Sequence, residues 1–274
     1  MTIKEAIEYG INQLNSIEDK FLKVKVLLAH ILNEDKNYLV THDEKTLAVE
    51  QENEYKYGIQ KLQQNVPLQY ITGFQEFYGL KFKVNENVLI PRFDTEVLLQ
   101  EVLKVAKPSQ KILDMCTGSG ILAITIAKDV EKAKVYASDI SKDALKIAKE
   151  NAILNEVDVI FIESNLFQNI KEKEFDIIVS NPPYINKTDM KRLEQQVKKE
   201  PEIALYGGED GLDFYRKITP NAYFYLKNKG YLFFEIGYDQ AKEVEKILEE
   251  NKFKNIKCIK DFNGLNRVII GEKE

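Results

Sequence analysis

The sequence contains little cysteine or histidine. Among its 274 residues are two cysteines, Cys116 and Cys258, and two histidines, His30 and His42. They are too few and too widely spaced to supply the ligands of a structural or catalytic metal, so we expect no metal site. So few cysteines suit a reducing compartment, and we expect a cytoplasmic protein.

Long apolar runs are also missing. No run approaches the roughly 20 residues that a membrane-spanning helix needs, and the first residues do not have the pattern of a signal peptide. We therefore expect no membrane partner. The formal net charge is −5. Because phosphate contacts dominate nucleic-acid binding, this acidic balance argues against direct contact with DNA or RNA.

The first 65 residues have apolar side chains at helical spacing. One stripe begins at Ile3 and Ala6, a second includes Phe21 and Val24, and a weaker third is centred on Ile59. This stretch carries no phosphate loop or nucleophile, so we interpret it as a small helical domain that recognises a partner. The predicted division is a helical domain at 1–65, a hairpin-like connector at 66–92 and a catalytic domain at 93–274.

A helix is predicted to open the third part, with Asp94 or Thr95 as its N-cap. From Lys111 onward, strand and helix patterns alternate, which predicts an α/β fold with a mostly parallel sheet covered by helices on both faces. The expected strands are 111–114, 134–138, 158–162, 175–180, 230–236, 254–260 and 266–270. The expected helices are 121–129, 142–154, 211–227 and 239–251. The last two strands are expected to form an antiparallel hairpin.

A glycine-rich turn joins the first of these strands to the first of these helices. It contains Cys116, Gly118 and Gly120, and such a turn lets a ligand approach the backbone closely. Asp139 follows Gly120 by 19 residues at the end of the next strand, where an acid can bind ribose hydroxyls. The pattern therefore indicates an adenosine-type ligand, either a dinucleotide or S-adenosylmethionine.

The spacing within the turn favours S-adenosylmethionine. A dinucleotide loop has the form Gly-x-Gly-x-x-Gly, whereas Asp114 to Gly120 reads Asp-x-x-x-Gly-x-Gly and resembles the loop of class I methyltransferases. That resemblance implies a Rossmann-like sheet of seven strands. Such enzymes usually have glycine where this chain has Cys116, which we interpret as a small buried residue. The predicted cofactor residues of this part are Asp114, Cys116, Thr117, Gly118, Ser119, Gly120 and Asp139.

Asn165 and Leu166 follow the third strand of the series. Related enzymes have an Asp at the Asn165 position that accepts a hydrogen bond from the adenine amine, and an Asn can still accept through its amide oxygen. We therefore assign both residues to the cofactor. The alternative is an ordinary turn.

Asn181, Pro182, Pro183 and Tyr184 follow the apolar strand 175–180. The Asn181 side chain and the Pro182 backbone each offer a carbonyl oxygen, so together they can accept both hydrogens of a planar –NH2 group. Tyr184 can lie flat against that group. The pattern predicts a clamp for an amide or an aromatic amine, and the alternative is again a simple turn.

Together these residues give the chain a family resemblance. It resembles the HemK/PrmC family, which methylates the glutamine of the Gly-Gly-Gln motif in peptide chain release factors. Further matching segments are Gln69–Gly73, Glu76–Gly79, Leu89–Glu96, Glu200–Gly211 and Gly230–Gly237. The family often has proline at the Phe93 position. The resemblance covers nearly the whole chain.

The resemblance implies an S-adenosylmethionine-dependent protein-glutamine N-methyltransferase that acts as a monomer on release factors. Asn181, Pro182 and Tyr184 are then catalytic, Pro183 joins them in binding substrate, and Asn181 also contacts the cofactor. The main alternative is methylation of an exocyclic amine in DNA or RNA, which would require a basic face. A non-catalytic S-adenosylmethionine-binding module has no use for an amine clamp, and a dinucleotide oxidoreductase is disfavoured by the loop spacing.

Overall fold

The structure is a computed structural model that describes residues 1–15 and 17–274. The described chain divides into two compact units, Met1–Phe74 with Glu194–Lys199, and Gln75–Leu193 with Glu200–Glu274. The three-part division made from the sequence stays a prediction. None of the helices in the described chain is both long enough and apolar enough to cross a membrane.

The first unit consists mainly of helices packed around one core. Thr2 begins the first helix with a capping box, in which its hydroxyl accepts from the Glu5 N–H at 3.2 Å and its own N–H donates to the Glu5 carboxylate at 2.8 Å. Most of the apolar stripes are buried, but Phe21 is 61% exposed. The helices are α1 (Ile3–Gln13), α2 (Lys20–Leu32), α3 (Lys36–Thr41), α4 (Val49–Gln63) and α5 (Leu68–Thr72).

Part of the expected hairpin-like connector is helical. Helix α5 occupies its start and ends at Gly73, whose φ of +77° suits a helix C-terminus. Burial of Leu68 in the helical core outweighs the β-forming residues of this stretch. A short hairpin follows, formed by β1 (Phe74–Phe77) and β2 (Leu80–Lys83).

The second unit is built on a seven-stranded sheet in the order β5-β4-β3-β6-β7-β9-β8. Strands β3 to β7 are parallel, and β9 is antiparallel to both β7 and β8. The mostly parallel sheet and the terminal hairpin predicted from the sequence are thereby confirmed. The strands are β3 (Lys111–Met115), β4 (Lys134–Asp139), β5 (Ile160–Glu163), β6 (Phe175–Ser180), β7 (Leu226–Glu235), β8 (Phe253–Lys260) and β9 (Asn266–Lys273).

Both faces of this sheet are buried, as expected for parallel strands. Along β6, Ile177 joins the hydrophobic core on one face and Ile178 joins the core on the other. Helices α6, α7 and α8 contribute to the first core, and α10 and α11 to the second. The helices are α6 (Asp94–Val105), α7 (Ile121–Asp129), α8 (Lys142–Leu154), α9 (Lys187–Arg192), α10 (Asp213–Tyr225) and α11 (Ala241–Glu250), with a short 3₁₀ turn at Glu202–Ala204.

The start of α6 differs from the expectation. Phe93 occupies the N-cap position, and neither Asp94 nor Thr95 caps the helix. The Asp94 carboxylate instead pairs with Arg267 at 3.1 Å. The Thr95 hydroxyl accepts a hydrogen bond from Asn181 at 3.3 Å. Both side chains therefore bond to residues that are distant in the sequence, and neither caps the helix.

The strand order places a topological switch point between β3 and β6. Chain connections run from β3 through β4 to β5 in one direction, and β6 and β7 extend the sheet in the other. Ligands of such sheets bind in the crevice at the carboxyl ends of the strands where the direction reverses. The candidate site is therefore expected beyond Met115 and Ser180, which pair at the ends of β3 and β6.

Candidate functional site

One cavity lies at the carboxyl ends of β3 to β6, lined by the loops that follow these strands. Of the residues predicted for cofactor or substrate, the following line it: Cys116, Gly118, Asp139, Asn165, Leu166, Asn181 and Pro183. The remaining predicted residues lie outside its lining: Asp114, Thr117, Ser119, Gly120, Pro182 and Tyr184. Of the second group, Pro182 lies between the lining residues Asn181 and Pro183, whereas the positions of the other five are consistent with support of the loops.

The turn after β3 needs unusual backbone conformations. Gly118 has a φ of +55° and open space where a Cβ would lie, so the backbone is exposed to the cavity. Gly120 has a φ of +88°, and a Cβ there would come within 2.8 Å of Ile124 and 3.2 Å of Ala148. The first glycine therefore leaves room for a ligand, and the second lets α7 and α8 pack closely.

Cys116 also lies in the left-handed region, with a φ of +61°. This conformation costs a residue with a Cβ roughly 1–2 kcal/mol, which accounts for the glycine that class I methyltransferases usually have here. Burial is the main reason that the pKa of the Cys116 thiol is raised. The thiol therefore stays protonated and is a poor nucleophile.

Asp114 stabilises the turn through hydrogen bonds. Its carboxylate accepts from the Thr117 hydroxyl at 2.5 Å and from the Ala123 N–H at 3.2 Å, and the residue is 1% exposed. Burial raises the pKa of Asp114 to about 7, although the hydrogen bond from Thr117 opposes the shift. These contacts tie β3, the turn and the first residues of α7 together.

Ser119 is held by a residue that was not assigned from the sequence. Its carbonyl accepts from the Asn151 side chain at 2.9 Å, and the same amide group donates to the Lys83 carbonyl at 3.0 Å. The Asn151 oxygen accepts the Lys83 N–H at 2.6 Å. This fully buried asparagine on α8 therefore joins the glycine turn to β2.

Asp139 connects two of the loops that line the cavity. One carboxylate oxygen accepts from the Gly118 N–H and the other from the Ser141 N–H, both at 2.9 Å. Burial raises the pKa of Asp139, while these backbone donors favour the ionised form. Each carboxylate oxygen can accept a second hydrogen bond, so the group keeps capacity for hydroxyls of a ligand.

The loop after β5 brings Asn165 and Leu166 to the cavity. Leu166 has a φ of +51°, which is rare for a bulky residue. Its carbonyl accepts from the Ser164 hydroxyl at 2.6 Å, and that hydroxyl accepts from the Asn169 N–H at 3.0 Å. The local hydrogen bonds therefore hold the loop in a strained turn next to the cavity.

Asn181 lies at the cavity with a defined amide orientation. Its Nδ2 donates to the Thr95 hydroxyl oxygen, so its Oδ1 remains to accept a hydrogen bond from a ligand. Thr95 is 1% exposed and lies in the first turn of α6. Sequence reasoning missed this partner because it is 86 positions away along the chain.

The Tyr184 hydroxyl lies 3.4 Å from Glu235 Oε1, and neither residue lines the cavity. Glu235 ends β7 and is 2% exposed, and its Oε2 has no hydrogen-bond partner in the described part of the chain. Burial raises the pKa of Glu235 to about 7. A buried carboxyl group of this kind behind a polar loop is characteristic of functional sites.

A glycine-containing loop supports the segment 181–184 from outside. The Gly207 N–H donates to the Ile185 carbonyl at 2.9 Å, and the Gln240 side chain donates to the Tyr184 carbonyl at 2.9 Å. A Cβ on Gly207 would lie 2.7 Å from both the Pro183 carbonyl oxygen and the Tyr184 Cα. The absence of a side chain there lets two stretches of backbone pack directly on each other.

Several lining residues were not assigned from the sequence. Ile140, Ile203 and Phe214 add apolar surface, and 87–89 contributes from the segment before α6. Ile140 directly follows Asp139 and is 50% exposed. An apolar residue next to the predicted ribose-binding acid could have been recognised from the sequence as part of the cofactor site. The other contributions depend on tertiary contacts that no short motif indicates.

Known proteins match both parts of the chain. The sequence model of the PrmC N-terminal domain matches residues 5–73, and that of the methyltransferase small domain matches residues 92–209. A release factor glutamine methyltransferase from Koribacter versatilis is 39% identical over 279 residues, which cover 100% of this chain and 99% of that protein. Another from Fusobacterium nucleatum is 42% identical over 265 residues, covering 94% of this chain and 75% of that protein.

A solved structure with the same fold is the Mtq2–Trm112 complex from E. cuniculi, which is responsible for methylating the translation termination factor eRF1. The match has a TM-score of 0.52 and 21% identity, and covers 69% of this chain and 99% of that chain. It shows the same fold over that share of the chain.

Proposed function

The chain belongs to the release factor glutamine methyltransferase family, and from this premise we propose that it methylates the side-chain amide nitrogen of glutamine in the Gly-Gly-Gln motif of release factors. The methyl donor is S-adenosylmethionine. The observation that carries the proposal is the oriented carboxamide of Asn181, whose oxygen remains available at the edge of the cavity.

The cavity has the chemistry that S-adenosylmethionine requires. Asp139 would bind the ribose hydroxyls, and the backbone at Gly118 has open space for close approach of a ligand. Ile140 and Leu166 would provide apolar surface for the adenine, with Asn165 accepting from its amine. When bound, this cofactor supplies an electrophilic methyl group attached to a sulfonium.

The clamp residues would hold the substrate amide in place. An amide nitrogen is a poor nucleophile because its lone pair is delocalised into the carbonyl. Asn181 Oδ1 and the Pro182 carbonyl would accept its two hydrogens, fix its direction and favour the positive charge that develops on nitrogen. Tyr184 would contribute by holding the segment 181–184 against Glu235.

The proton of the methylated nitrogen would leave to water. Of the described residues that line the cavity, Asp139 alone carries a carboxylate, and it is already engaged with two backbone N–H groups. A separate general base is therefore absent from our mechanism.

We further place the reaction in the cytoplasm, with a monomeric enzyme that acts on protein and not on nucleic acid, in keeping with a net charge of −5.

The helical unit would recognise the release factor. Phe21 and Leu22 on α2 are 61% and 53% exposed, so they offer apolar surface to a protein partner. Phe21→Ser should raise the KM for the release factor without changing the affinity for S-adenosylmethionine. Val40→Ser, at a residue that is 70% exposed on α3, is the matched control. An unchanged KM in the Phe21 variant would refute this assignment.

The function is tested by a methylation assay with labelled S-adenosylmethionine. The acceptors are a release factor, its Gln→Ala variant in the Gly-Gly-Gln motif, duplex DNA and ribosomal RNA. We expect label on the intact release factor alone, and loss of at least about 100-fold in kcat for Asn181→Ala, as for removal of a hydrogen-bonding group at a transition state.

Asn221→Ala is the matched control for Asn181→Ala, because Asn221 is exposed on α10 and within the described residues its side chain donates only to the Lys217 carbonyl, at 2.9 Å. Label on DNA or RNA would mean that the clamp holds a nucleobase amine. Near-normal turnover in the Asn181 variant would contradict the clamp.

A further inference from the structure

Ser138 carries a buried polar group that has no partner in the described chain. It is the penultimate residue of β4 and is 1% exposed, and its hydroxyl makes no hydrogen bond with any described residue. Ser138 also lines the cavity at the carboxyl ends of the strands. Because a buried polar group without a partner costs free energy, this hydroxyl indicates a partner that is not part of the chain.

The side chains beside Ser138 in the sheet are apolar. Ser138 is paired in register with Met115 on β3 and with Ile162 on β5. Met115 is part of the second hydrophobic core, and Ile162 packs against it. The Ser138 carbonyl accepts from the Thr117 N–H at 3.0 Å, so the unpaired group is the hydroxyl and not the backbone carbonyl. Neither neighbouring strand therefore supplies a side chain that could bond to the hydroxyl.

Three other buried side chains of the described chain have a polar atom without a partner, namely Asp114, Thr219 and Glu235. None of the three lines the cavity. Asp114 and Glu235 are carboxyl groups whose other oxygen accepts a hydrogen bond. Among these four residues, Ser138 is therefore the one whose unpaired group borders the cavity.

The position of Ser138 relates it to one end of a bound cofactor. It directly precedes Asp139, the proposed ribose acid, and Ile140, which would lie against the adenine. Asn181 follows β6, which is two strands away from β4 in the sheet, and neighbouring strands lie about 4.8 Å apart. The Ser138 hydroxyl therefore borders the part of the cavity that is expected to hold adenosine, away from the clamp.

We propose that the Ser138 hydroxyl is a hydrogen-bonding group of the cofactor site that binds the adenosine part of S-adenosylmethionine. A hydroxyl can donate one hydrogen and accept others, and adenosine presents ring nitrogens, ribose oxygens and an amine as partners. The bound cofactor would remove the cost of the unpaired hydroxyl, so Ser138 favours the bound state. The inference rests on the proposed function only for the identity of the cofactor, and not for the methyl acceptor.

The test compares Ser138→Ala with the natural chain in calorimetric titrations with S-adenosylmethionine, S-adenosylhomocysteine and 5′-methylthioadenosine. All three compounds contain adenosine, but the second lacks the transferable methyl group and the third lacks the amino-acid part. The affinity for each should fall by about three- to tenfold, which corresponds to one neutral hydrogen bond. Without ligand, the variant should be at least as stable in urea as the natural chain, because it lacks the unpaired hydroxyl.

Thr219→Val is the matched control. The Thr219 hydroxyl is also buried and without a partner in the described chain, but Thr219 lies on α10 outside the cavity lining. This variant should likewise be no less stable than the natural chain, and its affinity for all three compounds should be unchanged.

Three results would overturn the inference. One is a Ser138→Ala variant that binds all three compounds as tightly as the natural chain. Another is a loss of stability without ligand, since the hydroxyl would then have a partner within the protein. Weaker binding that spares 5′-methylthioadenosine would place the contact outside the adenosine part. Failure of the natural chain to label a release factor would count against the proposed acceptor and not against Ser138, because binding is measured without an acceptor.

Discussion

Replacing Gly207 with alanine should slow turnover, although Gly207 itself does not line the cavity. The new Cβ would lie 2.7 Å from the Pro183 carbonyl oxygen and from the Tyr184 Cα, and 2.9 Å from the Gly211 carbonyl oxygen. All three atoms belong to the backbone, so no side chain can rotate to relieve the contacts. Ordinary contact begins at 3.4 Å, so the two backbones must separate by up to 0.7 Å.

That displacement acts directly on the segment 181–184. A misplacement of about 1 Å in a positioned group can cost about 100-fold in rate, so we expect kcat to fall by roughly 10- to 100-fold. Overpacking should also lower the free energy of unfolding by about 1–3 kcal/mol. The affinity for S-adenosylmethionine should change little, because the three atoms nearest to the new Cβ belong to Pro183, Tyr184 and Gly211 and not to the loops after β3 and β4.

The assay measures kcat on a release factor, cofactor affinity by calorimetry and unfolding by urea. Gly58→Ala is the matched control, since the three atoms nearest to its Cβ all belong to the Leu27 side chain, the nearest at 2.8 Å, in the core of the helical unit. It should cost comparable stability with an unchanged kcat. If Gly207→Ala folds and turns over within about twofold of the natural rate, the proposed dependence of the clamp on this contact is wrong.

Other changes test the cofactor loops and the core. Asp139→Ala should weaken S-adenosylmethionine binding by about 1.5–3 kcal/mol, measured by calorimetry. Asp158→Ala, at an exposed residue, is the control. An unchanged affinity in the Asp139 variant would mean that another group binds the ribose. Cys116→Gly should keep cofactor affinity within about twofold, whereas Cys116→Val should lower the free energy of unfolding by about 2 kcal/mol, since a β-branched residue is strained at this positive φ. Thr219→Val should raise the free energy of unfolding by about 1 kcal/mol, measured in urea, because the Thr219 hydroxyl is buried without a hydrogen-bond partner in the described chain. A loss of stability would mean that this hydroxyl makes a hydrogen bond after all.

The sheet could be predicted because its strands are short apolar runs separated by amphipathic helices. The bounds of α7 (Ile121–Asp129) and α8 (Lys142–Leu154) agree with those expected from the sequence. The left-handed conformation of Cys116 was not predicted, although the glycine that is usual at that place in similar loops is consistent with it. The strands and these two helices could be predicted because their patterns depend on residues that are close together in the chain.

Features that depend on distant contacts were not predicted. Helix α5 (Leu68–Thr72) was expected to be part of a hairpin, but burial against other helices determined its conformation. Asp94 or Thr95 was expected to cap α6, yet Asp94 pairs with Arg267 and the Thr95 hydroxyl accepts from Asn181. The buried carboxyl group of Glu235 gave no signal within its apolar strand. In each case the conformation or bonding depends on a residue that is distant in the sequence, and no local sequence pattern predicts such a contact.

The bond between Thr95 and Asn181 also limits how far this enzyme can be shortened. Thr95 precedes β3, the first strand of the seven-stranded sheet, so a fragment that starts at Lys111 keeps the strand-end loops but loses α6. Such a fragment would retain Asp139 and the glycine turn, and could serve as a receptor for an adenosyl ligand. Transplanting the amide-handling chemistry onto another Rossmann-like scaffold would require a helix equivalent to α6 as well as the tetrapeptide that follows β6.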